Sequence, residues 1–376
     1  MSNIDFLYLD EEDMIKAGVE DMPGCVAAME ETIRLLKIGD YRMGGENNNS
    51  HGTMMLFPEE SPFPNMPLDS TDRRFMAMPA YLGGEFDMVG MKWYGSNTEN
   101  RKKGLPRSIL MVMLNDKDTG APLVHMSANI LSAYRTGAVP GVGVKYFAKK
   151  DAKVMGIVGP GVMGKTTLAA AMAVRPGIDT VKVNGRSQGS IDEFIAFVKE
   201  RFPTITNIET VSTVEDAVRD ADVVSMGASI PMGDSALYPY IQEDWIKPGA
   251  VIACTAAAKF DPDFVANRAR TVVDNIKLYK AWAEEYAYPT FEQIYIPACQ
   301  ATDLIHEGKM TYDDIDDLGD IIVGNTPAVR NEDDKIIYSI GGMPIEDVAW
   351  GTVVYRNALE KGIGTKLNLW KAPALK

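Results

Sequence analysis

The sequence predicts an α/β architecture in two units, a doubly wound parallel sheet and a separate α+β unit. Three observations carry this reading. From about residue 153 short β-branched runs alternate with helical stretches, the rhythm of a parallel sheet covered on both faces. The turn Gly159-Pro160-Gly161-Val162-Met163-Gly164 stands between the first such run and its helix. At 376 residues the chain also exceeds one ordinary domain.

Taken in order, residues 76–81, 86–94 and 109–115 read as strands joined by Gly- and Asn-rich turns with few helices between them, a largely antiparallel unit. The parallel unit then begins with a short apolar strand at Val154–Val158 and an alanine-rich helix over 166–174. A second strand follows at 181–183. Ile191, Phe194, Ile195 and Val198 have helical spacing, a third strand falls at 208–211, and Ser212 or Thr213 suits the cap of the next helix. Strands at Val223–Met226, 250–254 and 271–273 complete six. The tail holds a strand near Ile336 and a helix from near Glu346, too little to stand alone, so it is expected to return to the first unit. The predicted division is 1–140 with 335–376, and 141–334.

Composition narrows the function classes. A hydrophobic fraction of 46% and a charged fraction of 24% fit a globular chain, and no apolar run reaches the length of a membrane span. The acidic start, without a basic or apolar leader, predicts a cytoplasmic protein. A net charge of -14 without a basic cluster argues against nucleic acid as partner. The three cysteines, Cys25, Cys254 and Cys299, lack any paired spacing and read as buried thiols. His125 reads as a packed core histidine. No metal site is expected: the histidines are scattered, and the acids at 313, 314, 316, 317 and 320 read as a solvated face.

The glycine turn carries the chemistry. Gly159 permits a tight turn, Gly161 leaves room for a pyrophosphate, and Gly164 lets helix and strand pack closely. Val162 and Met163 lie in the helix N-terminus that offers its N–H groups to the anion. Between a strand and a helix this is the mark of a Rossmann-type dinucleotide fold. The same stretch also fits a P-loop, with Lys165 and Thr166 in the phosphate and magnesium positions and Asp274 as the distant acid. At the end of the second strand stand Asn184, Gly185, Arg186 and Ser187. With no carboxylate there for a ribose 2′-hydroxyl, and an Arg and a hydroxyl suited to a 2′-phosphate, NADP is favoured over NAD.

The stretch Met91-Lys92-Trp93-Tyr94-Gly95-Ser96-Asn97, then Gly104-Leu105-Pro106, residues 116–123 and Arg135-Thr136-Gly137-Ala138 resembles the ornithine cyclodeaminase and mu-crystallin family. The likeness continues through the Gly159 turn to Ile340-Gly341 and Ile345-Glu346-Asp347-Val348-Ala349. It implies a homodimer whose first unit supplies the dimer interface and the substrate half of the site. It further implies that Lys92 and Arg135 grip the carboxylate of an amino acid or cyclic imine, and that Thr136, Ile340 and Gly341 lie against the dinucleotide. A helix cap is the competing role for Thr136, and a structural ion pair for Arg135. His51 lies where the family often places another carboxylate-binding residue, and is a candidate proton donor.

Two departures bear on the reaction. Where ornithine cyclodeaminases carry a Glu for the distal ammonium this chain has Met76, and where they carry a catalytic Asp an ungapped count reaches Ala258, with Asp261 the nearest substitute. The expectation is an NAD(P)-dependent oxidoreductase on the C–N bond of a small α-amino acid or cyclic imine. The alternatives are a cyclodeaminase and a dinucleotide-binding protein without turnover.

Overall fold

The computed structural model describes residues 3–230 and 233–375. It divides into two compact units, one of Met1–Asp21, Ile38–Arg135 and Met343–Lys376, the other of Met22–Lys37 and Thr136–Gly342.

The first unit is built on a sheet whose strands are β1 (Ile4–Leu9), β2 (Tyr41–Met43), β3 (Thr53–Met55), β4 (Arg74–Leu82), β5 (Met88–Ser96), β6 (Ser108–Asn115) and β7 (Pro122–Ser127), with the C-terminal strand Thr365–Trp370. From one edge the order is Thr365–Trp370, β1, β7, β6, β5, β4, β2, and β3 shares the edge of β4 with β2. All neighbours are antiparallel except β1 and β7. Side chains alternate between faces along each strand. Met76, Met78, Leu82, Val112, Leu114, Val124 and Met126 are buried on one face, over which the C-terminal helix Pro344–Lys361 lies. That helix starts with Pro344 in its first turn and stops at Gly362, whose φ of 64° gives the left-handed cap. Ile345, Val348, Trp350 and Val354 fill the layer, and the Trp350 indole N–H donates to the Val19 carbonyl at 3.1 Å. The other face keeps Phe75, Ile109 and Met111 exposed beside Met91, Trp93, Met113 and His125. His125 thus belongs to an apolar outer face, edge-on to Tyr8, rather than to the core.

The second unit is a parallel sheet of β8 (Val154–Val158), β9 (Thr180–Asn184), β10 (Asn207–Thr210), β11 (Val223–Met226), Val251–Cys254, Arg270–Val273, Ile315–Asp317 and Ile336–Ser339. The six expected strands are present, in the order β10, β9, β8, β11, Val251–Cys254. Ile336–Ser339 then inserts before Arg270–Val273, and Ile315–Asp317 closes the edge. Two expectations change here. The strand near Ile336 joins this sheet, pairing with Val251–Cys254 on one side and Arg270–Val273 on the other, so the tail returns to the first unit only from Met343. The acidic run is a solvated face only in part: Asp313 and Asp314 are exposed. Asp316 is buried between the guanidinium groups of Arg270 and Arg330, and Asp317 caps the helix Leu318–Ile322.

Helices α1 (Glu11–Lys16), α2 (Met22–Ile38), α3 (Asn129–Phe147), α4 (Val162–Val174) and α5 (Gln188–Arg201) complete the parts that position the site. Nearly all of α2 clusters with the second unit, and the boundary near residue 140 falls inside α3, between Arg135 and Thr136. Within the second unit, α3 meets α4 through glycines four residues apart on one face. A Cβ on Gly137 would lie 2.4 Å from Thr166 Cβ, and one on Gly141 would lie 2.6 Å from Ala170 Cβ. Among the described residues no helix is long and apolar enough to cross a membrane.

Candidate active site

In the first unit the chain buries four charges together. Lys92 points inward from β5, in register with Met78 and Val112, and is 3% exposed. Arg135, 4% exposed, is the seventh residue of α3 and does not begin it. Facing them are Glu346 and Asp347, fully buried in the first turn of the C-terminal helix, where the helix dipole favours anions. Gly90, one alternation before Lys92, lets that helix approach: a Cβ there would stand 3.1 Å from Val348 Cγ2.

The contacts are dense. Lys92 Nζ lies 2.8 Å from Asp347 Oδ2 and 3.5 Å from Ser132 Oγ. Arg135 donates from Nε to Asp347 Oδ1 at 3.1 Å, places its second terminal nitrogen 3.0 Å from Asp347 Oδ2, and donates from the first to Glu346 Oε2. Burial pushes the Lys92 ammonium down to about 8, with the Arg135 charge adding to the shift and Asp347 opposing it. For Arg135 burial works against the charge, but Asp347 and Glu346 outweigh it and hold the guanidinium protonated. Burial likewise opposes the Asp347 charge, and Arg135 and Lys92 overcome it, so its carboxyl stays below the usual range.

A pH dependence follows. Charged Lys92 is present below about pH 8 and is lost as pH rises through that value, so kcat/KM for an anionic substrate falls about tenfold per pH unit above it. Lys92→Arg should carry the plateau upward, since a guanidinium does not titrate in this range. A flat wild-type profile from pH 7 to 10 would contradict the assignment. For stability the sign is opposite: between about 8 and the ordinary 10.5 the unfolded chain holds more protons, so this group's contribution rises with pH there.

Other expected residues fall as follows. His51 precedes Gly52, where a Cβ would meet the Ala77 carbonyl at 2.6 Å and Met78 Cγ at 2.9 Å. The chain immediately after His51 therefore packs on β4. Met76, 3% exposed, accepts the Tyr94 hydroxyl at its sulfur at 3.2 Å, so the position of the cyclodeaminase Glu is apolar. Ala258 is fully buried. Asp261, the nearest substitute, is used as the cap of the helix Pro262–Asn267, its carboxylate accepting the Phe264 N–H at 3.0 Å.

In the second unit the glycine turn has the geometry a dinucleotide needs. Gly159 has φ of 93°, and a Cβ would meet the Ala228 nitrogen at 2.5 Å. Its N–H donates to the Asn184 carbonyl at 2.9 Å, tying the turn to the end of β9. A Cβ on Gly164 would lie 2.6 Å from the Gly159 carbonyl oxygen, while one on Gly161, the N-cap of α4, would meet nothing within 4 Å. Open space thus stands before the first-turn N–H groups of Val162, Met163 and Gly164, which have no intrahelical acceptor. The helix begins at Val162, four residues before the expected start, because the turn itself supplies its first coil.

The P-loop alternative fails on the same residues. Lys165 reaches Glu193 at 3.9 Å and the Phe197 ring, Thr166 Oγ1 donates to the Val162 carbonyl at 3.0 Å, and Asp274 is hydrogen-bonded within the fold. Asp274 accepts from Gly341 N–H at 2.9 Å, Gly342 N–H at 3.2 Å and the Tyr279 hydroxyl at 3.0 Å. It thereby fixes Ile340 and Gly341 at the carboxyl end of the sheet, where such folds bind ligands. Thr136 lies mid-helix, so it is not a cap, and is adjacent to the Gly137 contact with Thr166 of α4. Asn184 donates to the Val211 carbonyl at 3.2 Å, Arg186 donates to the Ser229 carbonyl at 2.9 Å, and Ser187 caps α5 by accepting from the Ser190 N–H.

Sequence reasoning named Glu346 and Asp347 only within the resemblance and Asp274 only as the acid of the P-loop alternative, and gave none of them its role here. The available signal was two adjacent acids inside the otherwise apolar run Pro344-Ile345 and Val348-Ala349-Trp350, where unpaired charge is not tolerated.

Known proteins resemble this chain over nearly its whole length. The chain is 27% identical over 371 residues to N-((2S)-2-amino-2-carboxyethyl)-L-glutamate dehydrogenase of Staphylococcus aureus, covering 98% of this chain and 100% of the relative. The fold matches Thermococcus litoralis Delta(1)-pyrroline-2-carboxylate reductase in complex with NADH and L-proline at TM-score 0.76 and 24% identity, over 96% and 99% of the two chains. It matches an archaeal alanine dehydrogenase dimer with bound NAD at TM-score 0.75 and 24% identity, over 98% and 100%. The model of the ornithine cyclodeaminase/mu-crystallin family matches residues 19–362, and the chain belongs to that family.

Proposed function

We propose a division of labour in which the first unit holds the substrate and the second the dinucleotide. The protein is an NAD(P)-dependent oxidoreductase acting on the C–N bond of an α-amino acid or imine, as the names of its relatives indicate. The observation that carries the substrate reading is the buried pair Lys92 and Arg135. Asp347 accepts from Nε and Glu346 from one terminal nitrogen, and the other terminal nitrogen is 3.0 Å from Asp347 Oδ2 in an ion pair, which leaves terminal N–H groups to receive a substrate carboxylate. Lys92 adds a second positive charge. Four charges buried for stability alone would be poorly rewarded, since burial opposes each of them.

The turn at Gly159, Gly161 and Gly164 fits a pyrophosphate, and Val162 and Met163 offer it N–H groups. When bound, the nicotinamide supplies or accepts the hydride at the substrate α-carbon. His51 is the proposed proton donor to the imine nitrogen. Arg186 and Ser187, with no carboxylate at Asn184, favour NADP over NAD, which the ratio of dissociation constants for NADPH and NADH tests. Met76 and Ala258 disfavour cyclodeamination, because neither can hold an ammonium or move a proton. A screen of amino acids with oxidised cofactor, and of cyclic imines with reduced cofactor, should yield turnover. Tight NADPH binding without turnover across both screens would instead favour a carrier.

The outer face of the first sheet is the proposed homodimer interface. Ile109 is 47% and Met111 38% exposed beside Trp93 and Phe75, whose rings stack at 5.7 Å. A contiguous apolar face of this kind suits a self-complementary contact. Met111→Asp should convert a dimer to a monomer in light scattering. A wild-type monomer, or an unchanged dimer in the variant, would contradict it.

A further inference from the structure

The inner face of β4 and β5 carries a second cationic group beyond Lys92. The register sets Lys92 opposite Met78, Tyr94 opposite Met76, and Ser96 opposite Arg74. Moving along the face, a cation is followed by a methionine and an aromatic ring, then by another cation. The Tyr94 centroid lies 5.7 Å from Lys92 Nζ and 5.9 Å from Arg74 Cζ, so the two charges are at most the sum of these apart, under about 12 Å.

Arg74 is held in place. Its guanidinium donates to Asp72, and the same carboxylate accepts from Ser96 Oγ at 2.6 Å and lies 3.3 Å from Arg107 Nε. Ser108 Oγ donates in turn to Ser96 Oγ at 3.0 Å. One carboxylate between two guanidinium groups leaves a net positive charge and unused N–H donors. The Arg74 side chain is only 16% exposed, so solvent screens it weakly.

We propose that Arg74, supported by Arg107, receives a second anionic group on the substrate, making the preferred substrate an amino acid or imine with a distal carboxylate. This rests on the reading that Lys92 and Arg135 hold the α-carboxylate. A gap below about 12 Å, less roughly 4 Å for each guanidinium–carboxylate or ammonium–carboxylate pair, leaves carboxyl carbons at most about 4 Å apart. That is the span of an extended four-carbon or a folded five-carbon dicarboxylate. Met76 and the Tyr94 ring cover its methylenes. A distal ammonium would face Arg74 and be repelled, so the same residue disfavours a diamino acid.

The test is calorimetric titration of the protein, with oxidised dinucleotide present, against glutarate and against valerate, which lacks the second carboxylate. Glutarate should bind at least about tenfold tighter. Arg74→Met should bring glutarate to the level of valerate and leave valerate unchanged, and Arg107→Gln should reduce the advantage by a few fold. If valerate binds and glutarate binds no better in the wild-type protein, or if Arg74→Met keeps the advantage, this proposal is overturned while the α-carboxylate reading stands. If neither acid binds, both fall.

Discussion

Arg135→Met is expected to lower kcat/KM by about 10³-fold, mostly through KM, because it removes the forked donors that receive the substrate carboxylate. It should also lower folding stability by about 3–5 kcal/mol, since Glu346 would lose the guanidinium hydrogen bond it has and Asp347 would keep only Lys92. The two effects can be separated. Adding Glu346→Gln to the Met variant neutralises one of the two acids that faced Arg135 and should return part of the stability, read from the denaturant midpoint, but none of the kcat/KM. If activity returns with stability, Arg135 is a structural ion pair only. An unchanged KM in the single variant removes it from the site.

Gly161→Ala is expected to weaken dinucleotide binding by at least about tenfold while leaving stability within about 1 kcal/mol of wild type. The added methyl meets no protein atom within 4 Å, so the fold has no reason to change. It does enter the space before the first turn of α4. Gly164→Ala should behave differently. Its methyl would lie 2.6 Å from the Gly159 carbonyl and 3.0 Å from Ile157 Cγ2, so the helix must shift, and stability falls by about 1–3 kcal/mol along with affinity. Fluorescence titration with NADPH and a thermal melt distinguish the pair. Wild-type affinity in Gly161→Ala would place the dinucleotide elsewhere.

These two sites were legible in the sequence to different degrees. The glycine turn is local: each glycine answers a steric demand set within a few residues, so the motif and its strand and helix could be read together. Lys92 and Arg135 became visible only through the resemblance. Their partners Glu346 and Asp347 are more than 200 positions away, and no local pattern says which buried cation an acid will meet. The same holds for Ile336–Ser339. A four-residue apolar run announces a strand but not its sheet, and its place between Val251–Cys254 and Arg270–Val273 is a tertiary choice. Charge density misled in the acidic run, where Arg270 and Arg330 bury Asp316. For His125 neither the strand Pro122–Ser127 nor the face left uncovered was read from the sequence.

The resemblance and the structure meet at Met76 and Ala258. Alone, either replacement would only make the cyclodeaminase reaction doubtful. Their burial, and the use of Asp261 as a helix cap, put no carboxylate at either of those two positions. Hydride exchange with net change in the cofactor needs neither of them.

The most direct test follows the hydride itself. Reduced cofactor carrying deuterium at the transferred position of the nicotinamide is incubated with a cyclic or acyclic α-imino acid, and the amino acid formed is examined by mass spectrometry and proton NMR. Deuterium at the α-carbon, with one oxidised cofactor per product, is the predicted result. Unlabelled product, or conversion of a diamino acid to a cyclic amino acid and ammonia with the cofactor unchanged, would contradict it.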